Sequence, residues 1–185
     1  MPAADALTAV RAEPREDAER VTELLPGEPV EVVAESDGWA EIRTAYGYPG
    51  WVPVGALGGA GDADWLSVDA REPLECALRF VGSPYLWGGM TAAGIDCSGL
   101  VHMSYRAIGR LVPRDADQQA DAAERQEMPA NPGDLVFYGE PVDHVAFWLG
   151  EGRILHATGR DGVRAVVEEE EPKELRKRRS GAGRL

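Results

Sequence analysis

One cysteine and two histidines carry the chemistry this sequence can offer. Cys97 stands in GIDCSGLV, with Asp96 before it and Ser98-Gly99 after it. Apolar residues at Leu100, Val101, Tyr105 and Ile108 follow at helical spacing. That spacing predicts a helix over 97–108 with Cys97 in its first turn and Gly109 as a C-terminal cap. Peptide dipoles place partial positive charge at such an end, which favours a thiolate over a thiol. The unpaired N–H groups there can also donate to an oxyanion. A thiolate so placed is a nucleophile for acyl transfer, and it needs a base.

The histidines are His102, His144 and His156. His102 lies five residues beyond Cys97, about 500° further around the helix, and reads as structural. HVAFWLG and RILHAT read as two strands around Gly150-Glu151-Gly152. A three-residue hairpin loop there sets His144 opposite Thr158 and His156 opposite Ala146. Both imidazoles then share one face as diagonal neighbours, roughly 7–8 Å apart, available to a helix packed across it. A two- or four-residue loop would put them on opposite faces. On this reading His144 takes the Cys97 proton, and His156 holds the other ring nitrogen of His144. Two bland readings stand beside it: a buried structural thiol at Cys97, and a polar sheet edge or a zinc site built from the two histidines.

The elements that must position these groups fall into two halves. VEVVAE (30–35), WAEIRT (39–44) and YPGWVP (48–53) read as short strands separated by turn chemistry at Ser36-Asp37-Gly38 and Tyr46-Gly47. They predict a small all-β barrel over residues 1–58. GALGGAGDAD marks a linker, placed at 59–68. In the remaining 69–185, helices are expected at 73–81, 97–108 and 114–125, with a glycine-rich loop, SPYLWGGMTAAGID, before Cys97. Strands follow at 134–138, 144–150 and 153–158, an α+β order. Cys76 lies in the first of these helices and reads as a buried structural thiol.

Composition narrows the function classes. The formal net charge is −13 at pH 7, which argues against nucleic acid and against anionic surfaces. Arg176 to Arg179 follow an acidic run, Glu168 to Glu171, and read as a solvated helix or tail whose charges pair locally. No run of about 18 apolar residues is present, so no membrane partner is expected. MPAADALTAVRAEP lacks the basic and apolar regions of a secretory signal. A cytoplasmic monomer is the expectation, or a secreted protein if a leader has been removed.

From Phe80 to Thr158, PYLWGG, GIDCSGLV, LVPRDADQQ, NPGDLVFY and DHVAFWLGEGRILHATG stand in that order. This segment resembles the NlpC-type family of bacterial cell-wall peptidases. VRAEP, LLPGEPVEVV, GWAEIRT and YPGWV resemble a bacterial SH3-like domain. The pair is similar to the dipeptidyl-peptidase VI subgroup. The resemblance implies an α+β papain-like peptidase domain preceded by a small all-β SH3-like barrel. It implies Cys97, His144 and His156 as the triad, and no metal or organic cofactor. It further implies Tyr85, Asp96 and Ser98 as substrate-binding residues, with Tyr48 and Glu19 contributed from the SH3-like half. The implied partner is a murein peptide, cleaved between γ-D-glutamyl and a diamino acid, as a fragment with free N-terminal L-Ala. A secreted hydrolase of intact peptidoglycan and a non-catalytic wall-peptide binder are the alternatives.

Overall fold

The computed structural model describes residues 1–61, 72–128 and 130–185. The chain divides into two compact units, Met1–Ser67 and Val68–Leu185.

The first unit is all β. Its strands are β1 (Pro2–Ala4), β2 (Thr8–Arg11), β3 (Arg20–Leu24), β4 (Val30–Ser36), β5 (Trp39–Thr44), β6 (Pro49–Pro53) and β7 (Leu57–Ala60). Five form an antiparallel sheet in the order β3-β2-β6-β5-β4, and β1 pairs with β7. The β4–β5 hairpin turns on Asp37-Gly38, both at positive φ (52° and 82°), as a two-residue turn requires. Along β5 the buried positions alternate, Ala40, Ile42 and Thr44. Ala40 and Ile42 pack with Val10, Leu24, Val30 and Val52, the pattern of a sheet with one wet face. The three expected strands stand within one residue of their places. The linker does not: Gly59 and Ala60 belong to β7, because β1 supplies hydrogen-bond partners that a glycine-rich segment does not advertise. Residues 62–71, which hold the rest of the expected linker and the first residues of the second domain, lie outside the described residues.

The second unit holds α1 (Pro73–Leu78), β8 (Met90–Thr91), β9 (Gly94–Ile95), α2 (Cys97–Arg106), α3 (Ala116–Ala122), β10 (Glu124–Gln126), β11 (Leu135–Tyr138), β12 (His144–Gly150), β13 (Arg153–Thr158), β14 (Ala165–Glu170), α4 (Lys173–Lys177) and β15 (Arg179–Arg184). A six-stranded sheet runs β10-β15-β11-β12-β13-β14. α2 lays Leu100, Val101 and Tyr105 against Leu135, Phe137, Val145, Phe147, Leu155 and Ala157. The other face carries Val136, Tyr138, Ala146, Trp148 and Ile154. β11, β12 and β13 are therefore apolar on both faces, which explains their near-continuous hydrophobic runs. Among the described residues no helix is long and apolar enough to cross a membrane.

The C-terminal segment differs from the solvated tail expected of it. β15 enters the sheet between β10 and β11. Glu171 is buried and holds Arg176, Arg179 and the Tyr138 hydroxyl. The charges do pair locally, but around a carboxylate taken out of water. Such burial requires that each carboxylate oxygen find donors.

Candidate functional site

α2 begins where Asp96 caps it. The Asp96 carboxylate accepts from Gly99 N at 2.7 Å and from Gly88 N at 2.7 Å. A short acceptor at the N-cap satisfies a first-turn N–H that the helix itself leaves open. Arg114 closes over the same carboxylate with two parallel bonds, Nη1 to Oδ1 and Nη2 to Oδ2, each 2.9 Å. Its Nη1 also donates to Ser98 Oγ at 2.9 Å. Gln119 Nε2 donates to the Ser98 carbonyl at 3.0 Å. Gly99 has to be glycine: a Cβ there would stand 2.5 Å from the Gly89 carbonyl oxygen. The DCSG sequence is thus a helix start clamped from three sides.

Asp96 and Ser98, expected at the substrate, have a second task here. Both are buried, and both are bound by Arg114. Together they hold the start of α2, and with it Cys97, in place. Arg114 was expected only as the start of a helix over 114–125. That helix begins at Ala116, and Arg114 precedes it in order to reach back to Asp96.

The Cys97 sulfur sits at the start of β12. It receives backbone N–H groups from Val145 and from Ser98, so it lies one peptide link from His144. The thiol is not lowered as the helix field alone would suggest. Burial pushes it up to about 12 and the Asp96 charge adds to this, while the two N–H groups and Arg114 pull the other way. In the free protein burial thus favours the neutral thiol. Tyr85 stands close enough for Cys97 and Asp96 to act on its hydroxyl, whose pKa burial raises. Its ring packs over Gly159, where a Cβ would come within 3.0 Å of it.

The two histidines meet. His144 Nε2 and His156 Nδ1 are 2.8 Å apart, with the rings edge to face. The register is the expected one, reached by a different turn. Phe147 opposes Leu155 and Trp148 opposes Ile154, but Gly150 opposes Arg153 across a two-residue turn. A two-residue turn alone would separate the imidazoles. A bulge at Leu149, beside Gly150 at φ 90°, restores the parity. By that parity the pair shares the face of Ala146 and Ile154, whereas α2 covers the face of Val145 and Phe147. The expected packing of the helix across the histidine face is thus corrected, because the face against α2 is wholly apolar. Cys97 and His144 converge at the end of β12 rather than across its middle.

His156 has a second neighbour that the sequence reading missed. Its Nε2 lies 2.9 Å from Glu169 Oε1, and Glu169 Oε2 accepts from Arg160 at 2.8 Å. Glu169 falls within the acidic run read as solvent-facing. The pairing of β14 with β13 sets Glu169 opposite Ile154, on the face of the histidines. Among the described residues no group of three or more histidine, cysteine, aspartate or glutamate side chains is placed to hold a metal ion. Tyr48 and Glu19 belong to the first unit. There Tyr48 lies beside Tyr46, with ring centroids 6.4 Å apart, and the Glu19 carbonyl accepts from Ala12 N.

Two imidazoles in this unit are held neutral. Burial, then His156 and Arg178, bring His144 down to about 3. Burial, then Arg114 and Arg106, bring His102 down to about 3 as well. His102 is structural, as expected, and directs its ring to the Val112 and Pro113 carbonyls. An unfolded imidazole titrates near 6.5. Between these values the unfolded chain binds more protons than the folded one. Stability is therefore full above about 6.5 and falls as pH falls. Denaturant unfolding should show a loss on the order of 2 kcal/mol per imidazole between pH 7 and pH 5. Equal stability at both values would contradict the buried neutral state.

The sequence profile of the NlpC/P60 family matches residues 82–179, and that of the bacterial dipeptidyl-peptidase SH3 domain matches residues 10–57. Gamma-D-glutamyl-L-lysine dipeptidyl-peptidase of Bacillus subtilis (strain 168) is 30% identical over 156 residues, 77% of this chain and 49% of that protein. Peptidoglycan endopeptidase RipB of Mycobacterium tuberculosis is 37% identical over 114 residues, 51% of this chain and 47% of that protein. The chain spans about half the length of these two relatives. The crystal structure of an NlpC/P60 family protein from Bacillus cereus ATCC 10987 superposes over 99% of this chain and 62% of its own. The TM-score is 0.58 at 20% identity, a likeness of fold.

Proposed function

The chain belongs to the NlpC/P60 family of peptidoglycan hydrolases and endopeptidases, and from that premise we propose that it is a cysteine peptidase cleaving the γ-D-glutamyl–diamino acid bond of murein stem peptides. The preferred substrate is a fragment whose N-terminal L-Ala is free, as in recycling of cell-wall peptides. The observation that carries this reading is the Cys97 sulfur at the first turn of α2, beside the strand end that presents the hydrogen-bonded His144–His156 pair. The free-amine preference is supported by the dipeptidyl-peptidase name of the B. subtilis relative and by the matching SH3 profile.

The cycle is acyl transfer. The Cys97 thiol gives its proton to His144 as the sulfur attacks the γ-carbonyl carbon. The first-turn N–H of Cys97 donates to the developing oxyanion. The C–N bond breaks as His144 returns the proton to the leaving amine of the diamino acid. Water then adds to the thioester, giving its proton to His144, and the thiol is regenerated with release of the γ-D-glutamyl acid.

The identity to RipB favours a second reading, in which intact wall is the substrate. Three substrates separate the two: L-Ala-γ-D-Glu-meso-diaminopimelate, its N-acetylated form, and insoluble peptidoglycan. Release of diaminopimelate from the free-amine tripeptide alone is the expected result. Equal cleavage of the acetylated form removes the amine preference, and cleavage of insoluble wall alone establishes the second reading.

A further inference from the structure

We propose that Glu169, tethered by Arg160, sets the tautomers of both site histidines and thereby acts as the positioning residue that makes His144 a base; the role in catalysis rests on the peptidase reading above.

β14 runs beside β13 with Val167 opposite His156 and Glu169 opposite Ile154. Glu169 is thus the diagonal neighbour of His156 on one face, close enough for a long side chain to reach it. An ionised carboxylate can only accept hydrogen bonds. Oε2 accepts from the Arg160 guanidinium, and Oε1 faces His156 Nε2 at 2.9 Å. Burial opposes the charge on Glu169, but the hydrogen bonds from Arg160 and His156 outweigh it and hold the carboxyl below its ordinary range. His156 Nε2 must therefore carry a hydrogen. Burial keeps the His156 imidazole neutral near pH 7, by lowering its pKa against the pull of Glu169. A neutral ring protonated at Nε2 has a bare Nδ1.

That bare nitrogen lies 2.8 Å from His144 Nε2. Two bare nitrogens would repel, so His144 carries its hydrogen on Nε2 and leaves Nδ1 free. Nδ1 is the ring nitrogen nearest the main chain. The Cys97 sulfur sits at the N–H of the next residue, Val145. The free lone pair is therefore on the main-chain side of His144, beside the peptide whose N–H meets the sulfur.

The relay has a direction, and Glu169 fixes it. Two hydrogen-bonded neutral imidazoles can run either way. In the reverse arrangement His156 Nδ1–H donates to His144 Nε2, so His144 carries its hydrogen on Nδ1 and cannot take the thiol proton. Among the described residues the groups that face the pair include Glu169 on β14, Arg160 after β13, Arg178 after α4 and the Tyr138 ring on β11, with Cys97 at the N–H of Val145. Among these only Glu169 accepts from His156. When His144 becomes imidazolium on receiving the Cys97 proton, His156 stays neutral and Glu169 stays charged, and that charge favours the imidazolium.

Imidazole ¹⁵N shifts of the intact protein near pH 7 test the tautomers without any substrate. Expected are protonated Nε2 and bare Nδ1 on both His144 and His156. A proton on Nδ1 of His156 would overturn the proposal, whatever the substrate proves to be. Kinetics of Glu169→Gln then test the consequence. Removing the anion should lower kcat by about 10-fold or more with KM changed by less than about twofold. It should also move the acid limb of the pH profile to lower pH, since an imidazolium loses its nearby negative charge. Glu169→Asp, which keeps the charge, should recover part of the rate and return the limb toward the wild-type position. Wild-type kcat and an unmoved limb in Glu169→Gln would leave the carboxylate with a structural role only.

Discussion

Cys97→Ala should abolish release of diaminopimelate, a fall in kcat of about 10⁴-fold or more, with no loss of thermal stability. The two halves of that expectation come from different observations. The rate falls because no other nucleophile stands at the start of α2: Asp96 and Ser98, its neighbours, are both bound by Arg114. Stability holds because the thiol is neutral at rest, so its removal strands no charge. The N–H groups of Val145 and Ser98 lose only a weak sulfur acceptor. Chromatography of the tripeptide digest and a melting curve read the two halves separately. A variant that retained a tenth of the activity would remove Cys97 from the mechanism, and one that melted far lower would make the thiol structural.

The largest effect on stability is expected at the arginine that clamps the start of α2. Arg114 is 1% exposed and meets both oxygens of Asp96. Arg114→Met keeps the volume of the stem and removes the charge. It strands the Asp96 carboxylate in a site where Gly88 N and Gly99 N remain as donors and no cation does. Breaking a buried pair from one side costs about 3–5 kcal/mol. Activity should fall with it, because the clamp on the first turn of α2 is what fixes the sulfur. Arg114→Lys should rescue little, since one ammonium cannot reproduce two parallel bonds and reach Ser98 as well. Denaturant unfolding of the wild type, both variants and Asp96→Asn/Arg114→Met would measure this. The double variant should be less destabilised than the sum of its parts. A loss below about 1 kcal/mol in Arg114→Met would mean that water solvates Asp96 in the folded state.

Much of the second unit was legible in the sequence because its chemistry is written in short, local signals. The helix at Cys97 ends in the structure at Arg106, and Gly109 takes the positive φ of a cap, 79°. The strands of His144 and His156 stand at the residues expected. Their shared face was legible too, but through a compensation: the turn is one residue shorter than expected, and the bulge at Leu149 supplies the residue that the turn gives up. Side-chain parity was predictable where loop length was not, since buried Phe147 and Leu155 would otherwise turn outward.

The rest was hidden by residues whose types speak against the places they occupy. RSGAGR has little strand propensity, yet β15 lies inside the sheet. Its glycine is needed there: a Cβ on Gly183 would stand 2.7 Å from the Ala123 Cβ and 3.0 Å from the Glu124 carbonyl oxygen. Tertiary packing overrides propensity at such a position. Glu169 was missed for a related reason. Four consecutive glutamates read as one solvated block, whereas a strand sends alternate members to opposite faces. Glu169 meets His156 while Glu168 pairs loosely with Arg153 at 3.6 Å. Arg114 was missed because its partner lies 18 residues upstream, across a turn that no periodicity describes.

The central claim is that the γ-glutamyl group is carried on Cys97. Rapid acid quenching during turnover of L-Ala-γ-D-Glu-meso-diaminopimelate, followed by proteolysis and mass mapping, tests it directly. The account predicts an L-Ala-D-Glu acyl group on the peptide containing Cys97, joined as a thioester that hydroxylamine removes, and absent from Cys97→Ala. Steady cleavage with no adduct at any quench time, and undiminished in Cys97→Ala, would contradict it.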